Sequence, residues 1–209
     1  EPASAQLTLE VQKASQTISF VNPQVNETYG IKNYSNDVIV SDFCSTVDPV
    51  YEIVGDNTIG ATINKETGEL TFGDSIEKVG TITVKVTKGS DDCYDECSAQ
   101  YTFTLEYAEK PDVAYMLSGD KKNESGWYTN DVTITAPEGY LISCHNLLST
   151  ADWTESVVCG TEGENKDFVV YLKHIETGRI TDGIIVDGLK IDKTTPVLCR
   201  LEIIHFSPF

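Results

Sequence analysis

Two segments of this chain alternate apolar and polar side chains with a period of two, and that period decides what the chain can fold into. Gly80-Thr-Ile-Thr-Val-Lys-Val-Thr87 sets Ile82, Val84 and Val86 against Thr81, Thr83, Lys85 and Thr87. Ala99-Gln-Tyr-Thr-Phe-Thr-Leu-Glu-Tyr107 does the same, with Tyr101, Phe103, Leu105 and Tyr107 opposed to Thr102, Thr104 and Glu106. Successive side chains of a strand point to opposite faces, so each segment has one face to bury and one to wet. The two read as a long antiparallel hairpin joined by the polar loop from Lys88 to Ser98. No stretch of ten or more residues sustains a 3.6 period, so helix is expected to be minor.

Shorter segments follow the same logic. Thr17 to Val21, Val38 to Val40, Val50 to Val54, Gly60 to Ile63 and Glu69 to Phe72 bring the strands before Tyr107 to about seven, which suits a β-sandwich. The turn Asn64-Lys-Glu-Thr-Gly68 supplies a glycine able to take positive φ. Polar Ala108-Glu-Lys-Pro-Asp112, whose proline cannot donate to a ladder, is the expected linker, with the boundary near Lys110. The strand pattern then restarts at Val113 to Leu117, Asp131 to Thr135, Tyr140 to Ser143, Ser156 to Val158, Asp167 to Leu172 and Arg179 to Ile185. Turns are expected at Pro137-Glu-Gly139 and Glu162-Gly-Glu-Asn165, and His174-Ile-Glu-Thr-Gly178 echoes the earlier glycine turn. Lys190 to Pro196 reads as a last strand, and 197–209 as a tail or the start of another module.

Charge narrows the partners. Thirty-three acidic side chains stand against fifteen basic ones, a formal charge of −18, and both halves are acidic. That balance argues against nucleic acid, whose phosphates need a Lys/Arg footprint, and against a polybasic hold on anionic lipid. The longest apolar run, Phe168 to Leu172, is far short of the roughly 20 residues of a spanning helix, so no membrane insertion is expected. The six cysteines, three on each side of Lys110, point to an oxidising compartment. Cys93 and Cys97 with His145, His174 and His205 lack the second compact ligand pair of a structural zinc site.

Several weak motifs in the right order now point to a family. Gln16-Thr-Ile-Ser-Phe20 leading to Glu27-Thr-Tyr-Gly30, then Tyr51 to Asp56, Ala61 to Gly68, Val79 to Thr87 and Cys97 to Leu105, resemble the bacterial Ig-like (cadherin-like) repeat modules of Gram-positive cell-surface proteins. Gly126 to Tyr140, Glu162 to Asn165 and Lys190 to Pro196 resemble a companion module of the same proteins. The resemblance implies two tandem immunoglobulin-like β-sandwich domains, 1–110 and 111–196, at an extracellular cell surface. It supplies no catalytic residue, and the cysteines depart from the usual pattern of such repeats.

The implied function is a non-catalytic structural or adhesive module, monomeric and without a cofactor, that meets a surface glycan or protein. The alternative is a carbohydrate-binding accessory of a larger extracellular glycosidase. No G-x-S-x-G, H-E-x-x-H, G-x-x-x-x-G-K or G-x-G-x-x-G occurs, so no enzyme is expected. Candidate calcium ligands are Asp91, Asp92, Asp95 and Glu96, hard oxygens on one loop without the D-x-D-x-D-G pattern. In an Ig-like sandwich the B–C and F–G loops share a pole, so Cys44 is expected to bond Cys93 or Cys97. A short Cys93 to Cys97 bridge is the other option. Cys144 and Cys159 bracket a polar excursion and are the expected second pair. Trp127, Tyr128 and Trp153 are candidates for a sugar-stacking platform, against the commoner role of core packing.

Overall fold

The computed structural model describes residues 6–41, 45–73, 79–122, 125–147 and 152–194. Among these the chain is all-β without an α-helix, and no helix is long and apolar enough to cross a membrane. The tail 197–209 and Cys44 lie outside the described residues.

Nine strands precede Tyr107: β1 (Thr17–Phe20), β2 (Gln24–Thr28), β3 (Asn33–Tyr34), β4 (Val38–Ser41), β5 (Val50–Val54), β6 (Thr62–Ile63), β7 (Leu70–Thr71), β8 (Gly80–Lys88) and β9 (Cys97–Glu106). The expected hairpin is β8 and β9, antiparallel from Gly80↔Leu105 to Lys88↔Cys97. It forms the centre of the sheet β2-β9-β8-β5, and the facing layer is made of β1-β4 and β3-β7-β6. Alternation puts Ile82, Val84, Val86, Tyr101, Phe103 and Leu105 in the core, each at most 2% exposed. At about 1.5–3 kcal/mol for each large apolar side chain fully buried, this one face is a principal source of the half's stability. Rings connect the two layers: Phe20 meets Tyr101 edge-on at 4.5 Å, and Tyr34 and Phe72 reach Phe103 at 5.2 and 5.4 Å.

The sequence pattern missed β2. Of Gln24-Val-Asn-Glu-Thr28 only Val25 is buried, so the segment carries almost no apolar signal, yet it pairs parallel to β9 from Gln24↔Thr102 to Thr28↔Glu106. The backbone ladder of β9 recruits it, which composition does not report.

Eight strands follow: β10 (Met116–Ser118), β11 (Val132–Thr135), β12 (Tyr140–Ser143), β13 (Ser156–Cys159), β14 (Gly163–Glu164), β15 (Val169–His174), β16 (Ile184–Ile185) and β17 (Lys190–Ile191). They form β10-β11-β13, β12-β15-β16 and the small pair β14-β17. Val132, Ile134, Ile142, Val170, Leu172 and Ile191 are fully buried in a second apolar cluster. Glu162 to Asn165, expected as a turn, contributes Gly163 and Glu164 as strand partners of Ile191 and Lys190.

Candidate functional site

The buried residues of the two apolar clusters fall on either side of Lys110, with two exceptions. Trp153 and Ile180, from the second half, belong to the cluster of the first. They sit where the first half hands the chain on, and the residues there explain why.

Tyr29 directly follows β2, and its amide donates to the Glu106 carbonyl at 2.7 Å, so it lies beside the exit of β9. Its ring is buried against Tyr107, edge-on at 5.5 Å, and its hydroxyl donates to the Asn146 carbonyl at 2.7 Å. The backbone continues across the contact. Ile180 donates to the Tyr29 carbonyl at 2.8 Å, while the Ala108 amide donates to the Ile180 carbonyl at 2.9 Å. Ala108 and Thr181 form a parallel bridge, and Lys110 Nζ reaches the Gly183 carbonyl at 2.8 Å. The linker expected at Ala108–Asp112 is therefore laced to the second half at both Ala108 and Lys110.

The turn from His174 to Gly178 is the piece that docks. It is built like Asn64 to Gly68: the glycine amide donates to the first residue's carbonyl at 2.9 Å in both. The threonine amide donates to that residue's side chain in both, to His174 Nδ1 at 3.3 Å and to Asn64 Oδ1 at 3.2 Å. Where the turn meets the first half, Gly30 has φ +118°, and a Cβ there would lie 2.1 Å from the Gly178 carbonyl oxygen. Only glycine permits that approach. Arg179, next in the chain, donates to the Thr28 carbonyl at 2.7 Å and pairs with Glu27 at 3.1 Å, both side chains about 30% exposed. A pair so placed contributes about 1 kcal/mol.

Trp153 closes the contact. It is 6% exposed, its Nε1–H donates to the Leu147 carbonyl at 2.8 Å, and Lys173 Nζ stands 5.6 Å from the ring centroid. As a sugar-stacking candidate it is thus corrected: its faces are spent on packing. Tyr128, 3% exposed in the second core, is corrected likewise.

Trp127 behaves differently. It is partly buried and lines a cavity of about 470 Å³ together with Lys122, Ser125, Glu162, Ile191 and Asp192. This cavity lies at the exit pole of the second half, the counterpart of the pole just described: the Tyr128 amide donates to the Lys190 carbonyl at 2.7 Å, as Tyr29 does to Glu106, and Tyr128 bridges Ile191 in parallel. Lys122 Nζ pairs with Asp192 Oδ2 at 3.2 Å. The Thr194 hydroxyl and amide, then Lys122, hold the Asp192 carboxyl below its ordinary value.

The acidic loop is occupied with its own backbone. Asp91 Oδ1 accepts from the Cys93 and Tyr94 amides at 2.8 and 2.7 Å, which with Ser45 depresses its pKa. Asp92, Asp95 and Glu96 are exposed. Among the described residues no group of three or more His, Cys, Asp or Glu is placed to hold a metal, so the four calcium candidates are not brought together.

Cys144 and Cys159 are unbonded thiols here, contrary to the expected disulfide. They are neighbours nonetheless: burial, and then the nearby Cys159, raise the Cys144 thiol. A sequence pattern locates such a pair but not its redox state, which depends on an oxidant outside the chain. The pairing of Cys44 with Cys93 or Cys97 falls outside the described residues because Cys44 does.

No family model and no curated protein matches this chain. Solved structures similar to parts of it include the PKD domain of human KIAA0319, at 14% identity and TM-score 0.38 over 58% of this chain and 100% of that one. Human protocadherin-24 EC1-2 matches at 10% identity and TM-score 0.35, covering 85% of this chain and 98% of that chain. The fibronectin(III)-like modules of Clostridium thermocellum CbhA match at 13% identity and TM-score 0.29, covering 83% and 94%. Likenesses this distant carry no property to the chain, and its all-β, sheet-on-sheet character rests on its own strands.

Proposed function

We propose that the chain is a non-catalytic structural and adhesive module of an extracellular bacterial surface protein, in which two Ig-like sandwiches, divided near Lys110, act as one stiff, monomeric unit. The observation that carries this reading is the contact between the halves. Trp153, Ile180 and the turn ending at Gly178 are seated on the exit pole of the first half. Joints between flexibly linked domains are small and polar. This one combines a buried tryptophan, two backbone hydrogen bonds through Ile180 and a glycine-to-glycine approach. Such a joint transmits force and sets the distance between whatever the ends hold. Among the described residues no group of three or more His, Cys, Asp or Glu is placed to hold a metal, so the stiffness is expected to be independent of calcium. The even cysteine number and the strong acidity support an oxidising, extracellular setting.

Spin labels at Thr62→Cys in the first half and Thr133→Cys in the second, in a background with the native cysteines blocked, measure the joint directly. A narrow distance distribution that is the same in calcium and in chelator is expected. A broad distribution, or one that narrows only with calcium, overturns the reading.

A further inference from the structure

The two exit poles of this molecule are built on equivalent tyrosines, Tyr29 and Tyr128, but among the described residues only one of them is covered. We infer that the uncovered pole, the cavity beside Trp127, is a binding site for a neutral saccharide; the inference rests on the adhesive reading above and names the ligand class.

Two observations exclude a further module docking there as the second half docks on the first. Tyr29 is flanked by Thr28 and Gly30, whereas Tyr128 is flanked by Trp127 and Thr129. At Gly30 a Cβ would lie 2.1 Å from the incoming backbone, so a threonine in that place blocks the same approach. Trp127 also takes the place of Thr28, whose backbone carbonyl accepts from Arg179 of the docked half.

The lining then states what fits. The two tryptophans of the chain are in opposite conditions. Trp153 is buried with its Nε1–H satisfied by Leu147, while Trp127 is only partly buried and its Nε1–H has no protein partner among the described residues. A partly exposed indole that lines a cavity and keeps an open donor suits a pyranose, whose C–H face packs on a ring while its hydroxyls exchange hydrogen bonds around it. Glu162 spends Oε1 on the Lys193 amide at 3.1 Å and keeps Oε2 for a hydroxyl. Asp192 directs Oδ1 to Thr194 and Oδ2 to Lys122, whose ammonium retains two further protons to donate. Among the described lining residues one cation stands against two carboxylates, a net negative charge that repels phosphate, sulfate and acidic sugars and leaves neutral ones. The volume of about 470 Å³ lies at the small end of ligand pockets and suits one or two rings.

The test is titration of the whole chain, by tryptophan fluorescence and calorimetry, with lactose, maltose, cellobiose and chitobiose, and with glucuronic acid as the acidic comparison. Saturable binding of at least one neutral disaccharide is expected, weakened about tenfold or more by Trp127→Ala and by Glu162→Gln. Trp127→Phe, which keeps a flat ring, should restore part of it. Circular dichroism and melting of each variant must match the parent. No saturable binding of any neutral sugar by the parent chain overturns the inference, as does binding that survives Trp127→Ala or prefers the acidic sugar. Each of these results leaves the spin-label measurement of the joint untouched, so failure here is distinguishable from failure of the stiff-module reading.

Discussion

The exit pole of the first half and that of the second begin from one design and end in different chemistry. In each, a buried tyrosine, Tyr29 or Tyr128, donates its amide to a carbonyl of the last strand, Glu106 or Lys190, and so ties the start of the half to its end. In the first half the flanking residues are small, Thr28 and Gly30, and a turn of the neighbouring half comes close enough for backbone to meet backbone. In the second they are Trp127 and Thr129, and a cavity stands open. Two side chains beside a common anchor thus separate a pole that joins from a pole that is left for a ligand. The tryptophans make the same point: Trp153 is buried with its Nε1–H bonded in the joint, whereas Trp127 is only partly buried and its Nε1–H has no partner among the described residues.

The sharpest way to break this comparison is to truncate the two tryptophans. Trp153→Ala should cost about 3–5 kcal/mol, because a packed ring leaves a cavity that its neighbours refill only in part. Trp127→Ala, at a partly buried position that lines a cavity, should cost about 1 kcal/mol. Urea unfolding followed by far-ultraviolet dichroism measures both, and equal losses would mean that the poles do not differ as described.

Next come the glycines. Gly30→Ala combines positive φ with a collision against the Gly178 carbonyl and should cost about 2–4 kcal/mol and open the joint. Gly126→Ala, also at positive φ but with nothing within 4 Å, should cost only the strain of about 1 kcal/mol. Melting curves together with small-angle scattering separate the two, since only Gly30→Ala should lengthen or broaden the particle.

The smallest effect concerns acid. The Asp192 carboxyl is held below its ordinary value of 3.8 by the Thr194 bonds and then Lys122. A depressed folded pKa contributes stability that is present above the unfolded value and lost as pH falls through the folded one. The open pole should therefore loosen as pH drops below about 4, and Asp192→Asn should blunt that dependence. Hydrogen exchange at Lys190 to Lys193 against pH reads it, and an unchanged acid profile in the variant would remove Asp192 from this account.

Much of the fold could be read from residues alone where alternation was strong. Gly80 to Thr87 and Ala99 to Tyr107 form the long hairpin as expected, and the echo between Asn64–Gly68 and His174–Gly178 is a real likeness of hydrogen bonding. Polar β2 escaped because pairing to β9, not burial, makes it a strand. The sites were less legible. Trp127, Tyr128 and Trp153 are all aromatic in sequence, but two are buried and one is only partly so, and the acidic residues from Asp91 to Glu96 are adjacent in sequence without converging in space. Gly30 carried a legible hint, a glycine after an apolar anchor, but its partner lies 148 positions on, at Gly178.

Local chemistry suffices for strands and turns, since a period of two and a glycine at positive φ act over a few residues and need no distant partner. The amino-acid order therefore already contained the all-β character, the central hairpin, the twin turns and the acidity of both halves. Which of two similar turns docks, which of two tryptophans is spent on packing and which pole stays open were decided only when residues far apart in the chain came together. Those outcomes depend on close approach and competition for buried space, and neither is a property of any one segment.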